Sequence, residues 1–310
     1  MAGTCSHSTT TTKKFVILYC ISVSSAFVAS LYFLVPRHVR QTPRNDPGHI
    51  RWRLFAVIFV MAFTQAVYPY LFCVDGDGVI SRKGVGKYLG WSEWRGHYCE
   101  LSVLAHSMVL FSAPLLTRSM QVMISISSRR NTKDNRNEGS ISRIFQNNYS
   151  SKSQFFRDII VAPFAEEATF RGCMVAPLLS ANYSILEVTF FAPLFFGVAH
   201  VHHMVVKLQN GVPFTMALIS SMVQFSYTYL FGAYSAYAFI RTGSVVAVFL
   251  SHAFCNFMGL PDLNFLQQSS KLYRYRVLIL ASYIIGITGF ASTFHFFLGW
   301  EDDFGIDVYS

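Results

Sequence analysis

Three clusters in the second half of this 310-residue chain combine residue types and spacings that suit proton transfer. In the first, Pro163-Phe164-Ala165-Glu166-Glu167-Ala168-Thr169-Phe170-Arg171, Glu167 and Arg171 stand four apart and can pair on one helix face. Glu166 points about 100° away from its neighbour and cannot share that contact equally. One carboxylate is therefore compensated, and the other is left to face a polar cavity. The second cluster, Phe195-Phe196-Gly197-Val198-Ala199-His200-Val201-His202-His203, closes an apolar run. His200 lies closest to that run, whereas His202 and His203 suit an interfacial position. In the third, Ser251-His252-Ala253-Phe254-Cys255-Asn256, His252 and Asn256 are four apart, so both can donate to one oxygen placed between them.

These types define a chemistry. A carboxylate in a low-dielectric setting resists ionisation, accepts protons more readily, and can draw one from water. His200 could hold or share that water, while His252 and Asn256 donate to the negative oxygen formed when water attacks an amide carbonyl. Together they make a peptide hydrolase that needs no covalent nucleophile. No GxSxG turn is present to support a serine nucleophile, and no HExxH to support a standard zinc protease. Glu166, His200 and His252 nevertheless have the residue types of metal ligands, which keeps a metal-dependent protease as an alternative. Each cluster also has a purely structural alternative: a salt-bridged patch, interfacial histidines, or a polar pair bonded to a neighbouring helix.

The elements that position these residues follow from composition. Hydrophobic residues make up 52% of the chain and charged residues 13%, too little polar material to cover a water-facing surface. Disordered and nucleic-acid-binding classes are excluded on that ground, and the net charge of +9 sits in short segments between apolar runs, as beside a membrane. The uncharged runs are 15–35, 54–74, 101–117, 213–240, 244–260 and 277–298, and two more, 158–179 and 183–200, carry acidic residues or histidine. A span needs roughly 20 apolar residues. The expectation is an all-α polytopic membrane bundle of about eight transmembrane helices, the first retained as a span rather than removed as a signal peptide.

Arg37, Arg40, Arg44, Arg51 and Arg53 mark the first loop, and Arg118, Arg129, Arg130, Lys133, Arg136, Arg143, Lys152 and Arg157 the third. One helix per run puts both loops on one side, assigned as cytosolic. At 1.5 Å per residue, Glu166 then lies roughly 12 Å in from Asp158, with His252 at a similar depth and Asn256 one turn shallower. The four groups converge in the cytosolic half of the bilayer. A transporter would need a polar path continuing across the membrane. The stretch 119–153, rich in Ser, Asn and Arg, is expected to be a solvated linker. Of six cysteines, Cys73 and Cys99 flank one loop and could pair if it faces an oxidising lumen.

The three clusters, EExxxR at Glu166, Glu167 and Arg171, FxxxH at Phe196 and His200, and HxxxN at His252 and Asn256, resemble the signature of the type II CAAX prenyl proteases, within the wider Abi/CPBP intramembrane glutamate proteases. The resemblance covers about residues 155–262. It implies an eight-helix bundle in the endoplasmic reticulum membrane, with a catalytic core at 155–262. Residues 1–154 would form three N-terminal helices and a basic linker, and 263–310 the last helix and an acidic tail. It implies release of the last three residues of farnesylated or geranylgeranylated CaaX proteins, such as Ras-like small GTPases, with no cofactor, no metal and no nucleic acid. Glu166 would activate water with His200 as its partner, His252 and Asn256 would form the oxyanion hole, and Glu167, Arg171 and Phe196 would support them. The main rival is a non-enzymatic Abi-family membrane scaffold.

Overall fold

The computed structural model describes residues 12–73, 85–91, 97–131, 151–199 and 202–298. Among the described residues the chain is helical, with one isolated bridge between Trp91 and Ser244 as its only β pairing. The main helices are α1 Lys13–Phe33, α2 Pro47–Phe72, α3 His97–Leu110, α4 Ser112–Asn131, α5 Ala162–Phe170, α6 Ile185–Ala199, α7 Phe214–Thr242, α8 Val245–Met258 and α9 Arg276–Ser292.

Their ends have local causes. Asp46 caps α2 by accepting from the backbone N–H groups of Gly48 and His49, and Pro47 supplies the preset first turn. The helix therefore begins seven residues before the uncharged run. It takes in Arg51 and Arg53, which the sequence reading put in the loop. Gly243, at φ 62°, ends α7 in a left-handed turn, and the Ser244 side chain caps α8 by accepting from Ala247 N–H. α5 is reached through a helix at Lys152–Phe156 and a π turn at Arg157–Val161, so the chain is helical from 152 to 170.

α1, α2 and the segment Tyr273–Ser292 are each long and apolar enough to cross a membrane, and α3 with α4 form a fourth such unit bent by 75°. Two expectations are corrected here. The run 101–117 breaks at Phe111, and the helix beyond the break continues to Asn131, so 119–131 is ordered helix rather than linker. Gly286 of α9 packs into that bend, where a Cβ would lie 2.5 Å from Ser112 Oγ. The run 158–179 is likewise interrupted by turns at 171–174 before a short helix, Val175–Ser180.

α5 lies at the centre, packed by α2 and α8, and every residue from Glu167 to Leu178 is buried. Large apolar side chains face outward instead: Phe55, Phe59 and Phe63 stack along α2, and Leu230, Ile284 and Ile285 are mostly exposed. An apolar belt of this extent suits lipid contact.

The loops read as lying on one side do meet. Arg157 donates to Arg44 O and Asn45 Oδ1, each at 3.2 Å, and Arg118 donates to the carbonyls of Phe257 and Met258 at the end of α8. Cys73 is disulfide-bonded, and the side chain of Cys99 lies outside the described residues.

Candidate active site

Consecutive glutamates on α5 face different surroundings, as a helix requires. Glu167 turns into the core with its side chain fully buried, while the Glu166 side chain keeps 19% of its exposure. A buried carboxylate is costly unless its lone pairs are filled. Here they are. Oε1 accepts from Arg171 Nη1 at 3.1 Å and meets His252 Nδ1 at 2.7 Å, and Oε2 accepts from Ser235 Oγ at 2.8 Å.

Arg171, one turn on, donates through Nη2 to Gly232 O at 3.4 Å. Its guanidinium lies over the Phe196 ring, 4.6 Å from the centroid. A Cβ on Gly232 would stand 2.9 Å from Pro193 Cβ, so glycine allows α7 to approach α6 beside Arg171. Phe196 in turn packs edge-on against Phe170, at 5.1 Å between centroids. The pair expected between Glu167 and Arg171 is present, with three helices closing around it.

His252 on α8 is buried at 6% exposure and bridges the two glutamates. Arg171 donates to the same carboxylate, and the contact fits the tautomer in which His252 Nδ1 donates to Glu167 as well. Nε2 then points toward Glu166, 3.8 Å from its Oε2. That is too long for a direct hydrogen bond and short enough for one water to touch both. The Phe231 ring, 4.8 Å between centroids, closes one side of the imidazole. Next to His252, Ser251 Oγ meets Ser107 Oγ of α3 at 2.6 Å.

The structure thus brings Glu166, Glu167, Arg171, Phe196 and His252 into one site. Asn256 stands one turn along α8, exposed, with Nδ2 donating to Asp158 O at 3.0 Å. Its amide is engaged by the π turn that leads into α5. His200 lies outside the described residues. Among the described residues no three His, Cys, Asp or Glu side chains are grouped as metal ligands.

Sequence reading missed several contributors. Ser235 and Gly232 carry no spacing signal, because the residues they meet lie 68 and 61 positions away. His106, fully buried on α3, contacts Tyr234 OH at 3.3 Å and Phe290 O at 2.9 Å. A histidine within an otherwise apolar run was the available sign.

Comparison with known proteins follows the same residues. Positions 149–258 match the family profile described as Type II CAAX prenyl endopeptidase Rce1-like. The human protein named CAAX prenyl protease 2 is 30% identical over 274 residues, covering 87% of this chain and 77% of its own. A fission-yeast (Schizosaccharomyces pombe) protein named Probable CAAX prenyl protease 2 is 45% identical over 111 residues, 35% of this chain and 40% of its own. The Arabidopsis thaliana protein named CAAX prenyl protease 2 is 35% identical over 142 residues, 46% of this chain and 43% of its own. No solved structure matches significantly.

Proposed function

The chain belongs to the type II CAAX prenyl endopeptidase family, and from that premise we propose that it is an intramembrane endopeptidase acting on prenylated CaaX proteins. It releases the C-terminal tripeptide after the farnesyl- or geranylgeranyl-cysteine, with Ras-like small GTPases as typical substrates. One observation carries the reading: a partly exposed carboxylate, Glu166, stands 3.8 Å from an imidazole nitrogen whose ring is fixed by a second, buried carboxylate.

In the proposed mechanism a water sits between Glu166 Oε2 and His252 Nε2, with His200 as a further partner. Glu166 takes one of its protons as the oxygen attacks the scissile carbonyl. The new C–O bond pushes the carbonyl electron pair onto oxygen, where Asn256 and His252, protonated on both ring nitrogens, donate hydrogen bonds. Collapse of that intermediate breaks the C–N bond, and Glu166 returns its proton to the leaving amine. Glu167 and Arg171 hold His252 in place, and Phe196 packs over Arg171. The Asn256 amide leaves Asp158 O to reach the oxyanion.

A second reading of His252 has support in one contact. With Nδ1 donating to Glu167, a neutral ring offers a lone pair at Nε2, so His252 would share the base role rather than donate. His252→Gln separates the two, because glutamine keeps a donor and has no basic nitrogen. Partial activity relative to His252→Ala marks a donor, and equal loss in both marks a base.

Around this chemistry we place an eight-span bundle in the endoplasmic reticulum membrane, with residues 155–262 as the catalytic core and the site in the cytosolic half. Residues 1–154 and 263–310 supply the flanking helices and tails. A prenylated chain end arrives at that leaflet already partly buried. The test is release of a tripeptide from a farnesylated CaaX peptide by the purified full-length chain, followed by mass spectrometry, with the unprenylated peptide as control. Release from neither peptide by folded protein would favour the scaffold; equal release from both would remove the prenyl requirement.

A further inference from the structure

At the open end of α5 the charges do not balance. Arg157 is buried and pairs with its neighbour Asp158, Nε to Oδ1 at 2.6 Å and Nη2 to Oδ2 at 3.0 Å. Arg157 also donates to Arg44 O and Asn45 Oδ1. Arg44 and Arg53, from the loop before α2 and its second turn, lie within electrostatic reach of Arg157, Asp158 and each other. Three guanidiniums thus share one carboxylate, leaving an excess of two positive charges. Among the described residues neither the Arg44 nor the Arg53 guanidinium donates a hydrogen bond. Arg44 is exposed as a residue, yet its guanidinium is held below the usual arginine range, first by loss of water and then by the Arg157 charge, with Asp158 opposing.

This cluster adjoins the candidate site through one hydrogen bond, from Asn256 Nδ2 to the backbone oxygen of Asp158. Eight helical residues separate Asp158 from Glu166, roughly 12 Å along the axis. Three residues in extended conformation reach about 10 Å. A substrate whose scissile carbonyl sits at Glu166 and His252, and whose chain runs toward Asp158, would bring its end, three residues later, to the turn around which Arg44 and Arg53 gather.

We propose that Arg44 and Arg53 form a binding site for the free C-terminal carboxylate of the substrate, measuring the three-residue distance from the bond that is cut. The inference rests on the hydrolase reading above and adds a residue-level basis for cleaving at a fixed distance from the chain end. Guanidinium suits the task because its planar fork pairs with a carboxylate through two hydrogen bonds. Arg157, already satisfied by Asp158, holds the loop and is not part of the carboxylate site.

The experiment compares two farnesylated CaaX peptides that differ only at the end, one a free acid and one a carboxamide. Both are cleaved by the purified full-length chain and by Arg44→Gln, Arg53→Gln and the double variant. In the wild type, amidation is expected to lower kcat/KM roughly 10- to 100-fold, the size of one charge-assisted hydrogen bond. In the double variant the acid falls to the amide's rate, and the amide's rate is unchanged, which also shows that the variant is folded. Equal cleavage of acid and amide by the wild type overturns the inference and leaves the hydrolase reading standing, with these arginines serving only topology. Discrimination that persists in the double variant also overturns it. Cleavage of neither peptide by the wild type overturns the hydrolase reading and this inference with it.

Discussion

Arg171→Ala tests how the site is held together. Arg171 is 2% exposed and Glu167 0%, so the substitution leaves a buried carboxylate facing a void beside Phe196. Ser235 and His252 still donate to that carboxylate, and no positive charge replaces the guanidinium. Removing one partner of a buried pair costs about 3–5 kcal/mol. Against a total stability on the order of 5–15 kcal/mol, that is enough to lower the yield of folded protein sharply. The double variant Glu167→Gln/Arg171→Met removes both charges at similar volume and should regain most of the loss, a coupling of about 2–3 kcal/mol. It should remain inactive, by at least about 100-fold, because a neutral amide no longer fixes His252 through Nδ1. The assay is thermal unfolding in detergent, scored as the monodisperse fraction after heating, with peptide cleavage measured on the same samples. If Arg171→Ala melts like the wild type, or the double variant is no more stable than the single one, the account of Glu167 as a compensated buried anion is wrong.

Three further outcomes are expected. Glu166→Ala should lower turnover by about 100- to 10,000-fold, the usual contribution of a general base, and leave the melting temperature close to wild type because the side chain is partly exposed; near-normal turnover would remove Glu166 from the mechanism. Ser235→Ala takes away the hydroxyl on Glu167 Oε2 and should cost about 1.5–3 kcal/mol in the same melt, the range for a hydrogen bond to a charged group. Activity should survive strong chelators; loss on chelation with recovery on added zinc would instead assign Glu166, His200 and His252 as metal ligands.

What could be read from sequence was local. Glu167 and Arg171 are four apart, and the helix places their contact without help from the rest of the chain. The capping signal at Asp46-Pro47 is equally local and sets the start of α2 seven residues ahead of the uncharged run. The bend at Phe111 had a cue in Pro114, which has no N–H for Leu110 O and crowds that carbonyl, and Gly286 of α9 packs against the same backbone. The imidazole that joins both glutamates comes from 85 positions downstream of Glu167. Its residue type was legible, but its orientation was not. Two oxyanion donors on one helix face were expected at His252 and Asn256. In the fold His252 Nδ1 meets Glu167 and the Asn256 amide donates to Asp158 O.

The polar residues outside the motifs fall into a pattern that ties α9, most of whose surface is exposed, to the helices around the site. On α3, α7 and α8 the contributors occur as neighbours in sequence: His106 with Ser107, Tyr234 with Ser235, and Ser251 with His252. Neighbours on a helix point about 100° apart, so each pair serves two surroundings. Ser235 and His252 address Glu167, and Ser107 ties α3 to α8 through Ser251. The other members look outward from the site. Tyr234 donates to Val103 O, and His106 reaches Phe290 O while its ring stacks on Phe290 at 4.0 Å. His106 thus links α9 to α3 and α7, the helices whose Ser107 and Ser235 bond toward the site. Holding Glu166 as the proposed general base to within a fraction of an ångström would need such a second layer. Here it is built from single hydroxyls and one buried imidazole, because each can be satisfied inside an apolar bundle without bringing in another charge.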